Sequence, residues 1–250
     1  MERLYFSANP WIHEAVMRPF FRIAIAAALF LATSIAVGAP LAHPQDVVRN
    51  EHANGLPAPS GDGWEPLFNG TDLSGWQQRN GWAVYRVVDA TIVGTTSKHS
   101  PNSFLCTSKE YDDFELKFQV WVDDPLNSGV QIRSLSIPER DSGRVHGPQV
   151  EIESMGGTAG YVYGEATGRN WISPTQPPHR HFKSGTWNQY HIRAQGNRIQ
   201  TWINGNLVED ITDAKSHRKG FIGLQVHSIG ADQGPFQVRW KDIAIRSVKP

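Results

Sequence analysis

Nine consecutive residues, Phe114–Val122 (FELKFQVWV), set Phe114, Leu116, Phe118, Val120 and Val122 against Glu115, Lys117, Gln119 and Trp121 in strict alternation. A period of two places the two sets on opposite sides of an extended chain, so the segment predicts a strand with one buried face. The same period recurs at Gly129–Arg133, Gln149–Glu153, Asn188–Ala194, Arg198–Asn204, Phe221–His227 and Phe236–Ser247. Gln195-Gly196-Asn197 joins two of these segments as a hairpin turn. No twelve-residue stretch carries a helical period. Short strands separated by turn residues, in a chain with 23 Gly, 16 Pro and nine Trp, predict an all-β sandwich or barrel. Two polar connections, Ser134–Gly147 and Ser154–Gly185, exceed any hairpin loop, and connections of that length in a compact domain are often functional.

Charge and cysteine content remove several functions. The 250 residues carry 24 basic and 24 acidic side chains. Without the first 42 residues the balance is 21 basic against 22 acidic, which lacks the basic surplus that nucleic-acid phosphates demand. A single cysteine, Cys106, makes neither an internal disulfide nor a cysteine-based zinc site, and reads as a small buried hydrophobe. Ile23–Val37 is uncharged and apolar, follows Arg18 and Arg22, and precedes the small-residue stretch VGAPLA. That is the pattern of a secretory signal peptide over residues 1–42, with Met17 as an alternative start. The run is shorter than the ~20 residues of a membrane span. The expected location is therefore secreted or periplasmic, with no stable span after cleavage. His43–Gly63 reads as a linker and residues 64–250 as the folded domain.

Alternation also assigns the outward side chains. Three strands present Gln131 and Arg133, then Gln149, Glu151 and Glu153, then Gln225 and His227, with Val130, Val150, Leu224 and Val226 beneath. Gln119/Trp121 and Trp202/Asn204 extend the series. Amides, guanidinium and aromatic rings suit a hydroxyl-rich ligand, whereas a plain solvated face is richer in Lys, Glu, Ser and Thr. Glu151 and Glu153 place their Cβ atoms roughly 7 Å apart, near enough to bring the carboxyls to the ~5–5.5 Å separation of retaining glycosidases. A laminarinase-like glycosidase and a non-catalytic glycan-binding module therefore stand beside any other reading. If a divalent metal ion is used, Glu151, Glu153 and His227 are the candidate ligands, since they combine carboxylate and imidazole on one face. His179 and His181 lie in the Pro-rich segment PPHRHF and read as surface residues.

In order and spacing, the chain resembles the 3-keto-disaccharide hydrolase family over about residues 64–248. The residues concerned are EPLFNGTDLSGW (Glu65–Trp76), Trp82-Ala83-Val84, Ile92-Val93-Gly94, Tyr111–Leu116, Asn127-Ser128-Gly129-Val130 with Arg133, GPQVEIE (Gly147–Glu153), Gly160–Tyr163, Trp187–Val208 and GFIGLQVHS (Gly220–Ser228). The resemblance implies a concanavalin A-like jelly-roll sandwich of two antiparallel sheets with a carbohydrate site on one sheet. It implies an enzyme acting on glycosides oxidised to a ketone at C3, through C2 deprotonation, β-elimination and hydration. On the matched motifs, Glu151 and His227 are expected as base and acid in either order, and Arg133 as the cation for the enolate. Gln131, Gln149, Gln225 and Tyr163 are expected to bind substrate, and Trp121 or Trp202 to stack on it. The connection Ile137–His146 (IPERDSGRVH) is longer and more charged than in the family.

Overall fold

A computed structural model describes residues 60–249; the expected leader (1–42) and most of the expected linker lie outside the described residues. Two antiparallel sheets enclose one apolar core. The first runs β13 (Asn206–Thr212), β12 (Arg198–Ile203), β11 (Asn188–Gln195), β6 (Phe114–Val122), β15 (Gln237–Ser247), β4 (Thr91–Thr95) and β3 (Val84–Val88), with β1 (Glu65–Pro66) paired to β15. The second runs β10 (Asn170–Trp171), β9 (Val162–Glu165), β8 (Gly147–Glu153), β7 (Asn127–Ser134), β14 (Phe221–Val226), β5 (Ser103–Thr107) and β2 (Trp76–Arg79). The expected jelly-roll sandwich is the fold. Among the described residues the only helical piece is a single 3-10 turn, Asp141–Gly143, and no helix is long and apolar enough to cross a membrane.

The alternation read from sequence sets the core. Phe114, Leu116, Phe118, Val120 and Val122 of β6 are buried against Val130, Val150, Leu224 and Val226 of the second sheet. Each such side chain contributes about 1.5–3 kcal/mol on removal from water. Gly196, at φ +57, closes the β11–β12 hairpin in the left-handed region that the turn requires.

Two expectations change. Ser154–Gly185 is not a bare connection: it contains β9 and β10, which extend the second sheet beyond β8. With four and two residues, these strands are too short to show a period. The alternation of β7 also fails at its end. Arg133 sits at φ +48, beside a register shift in the β14–β7 pairing, so its side chain does not follow Gln131. Its guanidinium donates from Nε to Asp112 O (2.5 Å), from Nη1 to Gly196 O (2.8 Å) and from Nη2 to Asp113 Oδ1 (2.8 Å). Arg133 therefore ties β7 to the start of β6 and to the β11–β12 turn. It is a clamp between the sheets.

Candidate functional site

Register brings the polar residues of the second sheet together. Gln131 lies opposite Gln149, Gly129 opposite Glu151, and Asn127 opposite Glu153 across β7 and β8. On the far side of β7, Gly223 opposite Gln131 and Leu224 opposite Val130 carry Gln225 to the level of Gly129. Glu151 and Gln225 thus flank Gly129 from two strands apart, roughly 10 Å at the usual strand spacing. The glycine is required there: a Cβ on Gly129 would fall 2.5 Å from Cδ of Gln149. Without it, the Gln149 side chain can lie over the β7 backbone. Tyr190 of the opposite sheet donates its hydroxyl to the Glu151 carbonyl at 3.0 Å and fixes the height of β8.

A directed chain of hydrogen bonds ends on Glu151. Ser134 Oγ donates to Gln131 Oε1 (2.6 Å), Gln131 Nε2 to Gln149 Oε1 (2.7 Å), and Gln149 Nε2 to Glu151 Oε1 (2.7 Å). Asn127 Nδ2 donates to the other carboxylate oxygen, Oε2, at 3.2 Å. Each amide is oriented by the one before it, so both Glu151 oxygens meet donors. Burial nevertheless prevails. It pushes the carboxyl up to about 7, against the pull of Gln149 and Asn127 and with help from the nearby Glu153 and Glu165 charges.

Glu151 opens into a cavity of ≈ 350 Å³. Gln149, Tyr163 and Glu165 line it on the β8–β9 side, and Gln225, His227 and Asn102 on the other. Both amide atoms of Gln225 are buried without a hydrogen-bond partner, an arrangement that costs about 1–3 kcal/mol unless a ligand or water answers it. His227 Nδ1 lies 2.7 Å from Ser228 O. That carbonyl requires Nδ1 to carry its proton, so Nε2 is the nitrogen free for chemistry. Arg144 reaches in from the Ser134–Gly147 connection and pairs with Glu165 at 3.2 Å. Trp171, 36% exposed, meets Tyr163 edge to face at 5.5 Å and forms an aromatic rim. The neighbouring Arg169 fixes that rim with a two-pronged pair to Asp213 (2.9 and 3.1 Å).

Of the residues singled out from sequence, Glu151, Gln149, Gln225, His227 and Tyr163 line this cavity, and Gln131 supports it from beneath. Arg133 is engaged elsewhere. Trp121 and Trp202 belong to the other sheet, where Trp121 meets Trp187 and Trp202 stacks on His191. Glu153 accepts the Thr158 N–H at 3.1 Å and lines a separate cavity. The two carboxyls therefore do not share a pocket, and the proposed metal set of Glu151, Glu153 and His227 is not assembled. Among the described residues no group of three His, Cys, Asp or Glu side chains forms a metal site. His179 uses both nitrogens, on Ala159 O and His181 N–H. Sequence reasoning missed Arg144, Asn127, Glu165 and Trp171. The charge of Ile137–His146 and a tryptophan in a Gly-rich connection were the available signals.

A family model described as the 3-keto-alpha-glucoside-1,2-lyase-like domain matches residues 63–246. No curated protein matches. Among solved structures, a protein from Parabacteroides distasonis provisionally assigned as a glycosyl hydrolase aligns with TM-score 0.54 and 19% identity, over 75% of this chain and 94% of that one. The carbohydrate binding module CBM66 from Bacillus subtilis aligns with TM-score 0.52 and 17% identity, over 69% and 96%. A Bacillus subtilis protein of unknown function with a galectin-like fold gives 0.53 and 12%, over 74% and 94%. At these identities the likeness is one of fold.

Proposed function

This chain belongs to the 3-keto-alpha-glucoside-1,2-lyase-like family, and from that premise we propose that it cleaves glycosides bearing a ketone at C3, outside the cytoplasm. The observation that carries the reading is Glu151: a buried carboxyl, raised to about 7, facing an unpartnered buried amide across a sugar-sized cavity. A base with that proton affinity is half-ionised near neutrality, where proton transfer is most efficient.

The C3 ketone acidifies the C2 proton. Glu151 takes that proton, and the electron pair moves into the C2–C3 bond, leaving negative charge on the C3 oxygen. The Gln225 Nε2–H is the donor without a partner and meets that oxygen. The enolate then collapses: the C3 carbonyl re-forms, a C1–C2 double bond forms and the C1–O bond breaks. His227, protonated at Nε2, gives its proton to the leaving oxygen. Water adds at C1 and a proton returns to C2, so the sum is hydrolysis. Gln149 and Asn127 hold Glu151, Tyr163 and Trp171 cover the sugar ring, and the Arg144–Glu165 pair closes one end.

Substrate deuterated at C2 tests this reading. A primary isotope effect on a 3-keto glucoside, with no turnover of the unoxidised glucoside, is expected. Turnover of the unoxidised glucoside without an isotope effect overturns it. Retention of sugar without product supports a second reading, a glycan-binding module, which the exposed Trp171 platform favours.

A further inference from the structure

A second cavity, ≈ 690 Å³, is lined by Glu153 at the end of β8. Asn127, which lines the first, lies opposite Glu153, which lines the second. Glu151 and Glu153 are two residues apart on β8, so their Cβ atoms lie roughly 7 Å apart on one face of the strand, about the length of one ring. The Arg144–Glu165 pair stands at the other end of the first cavity, opposite Gly147 in register. A leaving group departing from C1 beside Glu151 therefore has room on the Glu153 side.

The lining differs in kind from that of the sugar pocket. Met155 is 73% exposed at the lip, and Phe182 forms an apolar wall. Ser154 Oγ is buried without a partner. Arg180 and Lys183 line the cavity, and no salt bridge among the described residues engages either. Glu153 has one carboxylate oxygen already committed to Thr158 N–H. The two walls are held together by His179, whose backbone N–H donates to Gly157 O (3.3 Å) and whose ring meets Ala159 O (2.8 Å). The space is preformed, and its volume is that of an ordinary small-molecule site.

Resting on the reaction proposed above, we infer that this second cavity is the leaving-group subsite, and that it takes an aglycone with a flat apolar face and an anionic edge, such as an aryl carboxylate. Met155 and Phe182 cover the ring, and Arg180 and Lys183 meet the carboxylate.

Matched 3-keto glucosides of phenol and of 4-hydroxybenzoate test the assignment. Wild type is expected to favour the carboxylate by about tenfold in kcat/KM, the scale of one charge-assisted hydrogen bond. Combining Arg180→Ala with Lys183→Ala is expected to erase that ratio, in which changes to the chemical step cancel. Both side chains are exposed and enter no hydrogen bond or ion pair among the described residues, so folding is not at issue. Equal efficiencies in wild type, or a ratio that survives both substitutions, overturn the assignment. If neither glucoside is turned over, the reaction itself is wrong, and direct titration decides the subsite. 4-Hydroxybenzoate is then expected to shift the methyl resonance of Met155 in wild type and not in the double variant. A resonance that does not move overturns the inference.

Discussion

Both sheets present polar outward faces, the first rich in Lys, Arg and Trp and the second in amides, and the cavity beside Glu151 is lined by the second sheet and its connections. On the first sheet the polar residues satisfy each other. Glu115 accepts from His191 Nε2 (3.0 Å) and Arg246 Nη2 (3.1 Å). Trp202 stacks on His191, Arg239 lies over Trp121, and Lys241 lies over Trp187. On the second sheet, Glu151 is buried without a cation, and Gln225 is buried with nothing to bind. The difference lies in what covers the face. The Ser134–Gly147 and Ser154–Gly185 segments add Arg144 and Trp171 around the second sheet and withdraw it from water. A satisfied face is finished as structure, whereas one with raised proton affinity and an open amide is poised for a ligand.

The sharpest way to break this contrast is Glu151→Gln. The rate on a 3-keto glucoside should fall by roughly 10²–10⁴. Stability should move the other way. Between about 4.5 and about 7 the folded protein keeps a proton on Glu151 that the unfolded chain releases, so stability falls as pH rises through that window. The loss is on the order of 3 kcal/mol. The Gln variant should therefore melt above wild type at pH 8 and converge with it near pH 4. A wild-type rate places the chemistry elsewhere, and a variant that melts lower at pH 8 makes the carboxylate structural.

Arg133→Met separates clamp from site. Asp113 loses a buried partner, and denaturant unfolding should show a cost of about 2–3 kcal/mol, discounted for the partial exposure of Asp113. The pH midpoint of activity should stay in place; a displaced midpoint would return Arg133 to the pocket.

Gln131→Leu is subtler. It frees the Gln149 amide to turn its oxygen toward Glu151, so the Glu151 midpoint, followed by carbon NMR of labelled glutamate, should rise by up to about one unit. An unchanged midpoint means that the hydrogen-bond chain orients nothing.

The smallest effect should distinguish tryptophans. Trp171→Ala should weaken sugar binding by about 1 kcal/mol, or roughly fivefold. Trp202→Ala and Trp121→Ala should leave calorimetric affinity within error. A reversal would move the site to the other sheet.

Much of this was readable in the chain. The core positions of β6, β7, β8 and β14, and the grouping of Gln149, Glu151, Gln225 and His227, follow from a period of two. Trp121 and Trp202 obey the same period and yet misled, because alternation says that a side chain points outward and not from which sheet. Arg133 misled because a left-handed residue at a register shift breaks alternation without changing the sequence pattern.

The sequence by itself determined the strand faces, the hairpin at Gly196 and the all-β sandwich, because backbone pleating is a local property and each strand carries its own record of it. Only the tertiary structure decided which outward face is enclosed. Burial of Glu151, release of Gln225 from any partner, and the arrival of Arg144 and Trp171 all depend on segments far apart in the chain. Proton affinity follows the same division. A carboxylate two residues from another looks ordinary in sequence, and desolvation, which exists only once the sheets and connections have closed around it, sets its chemistry.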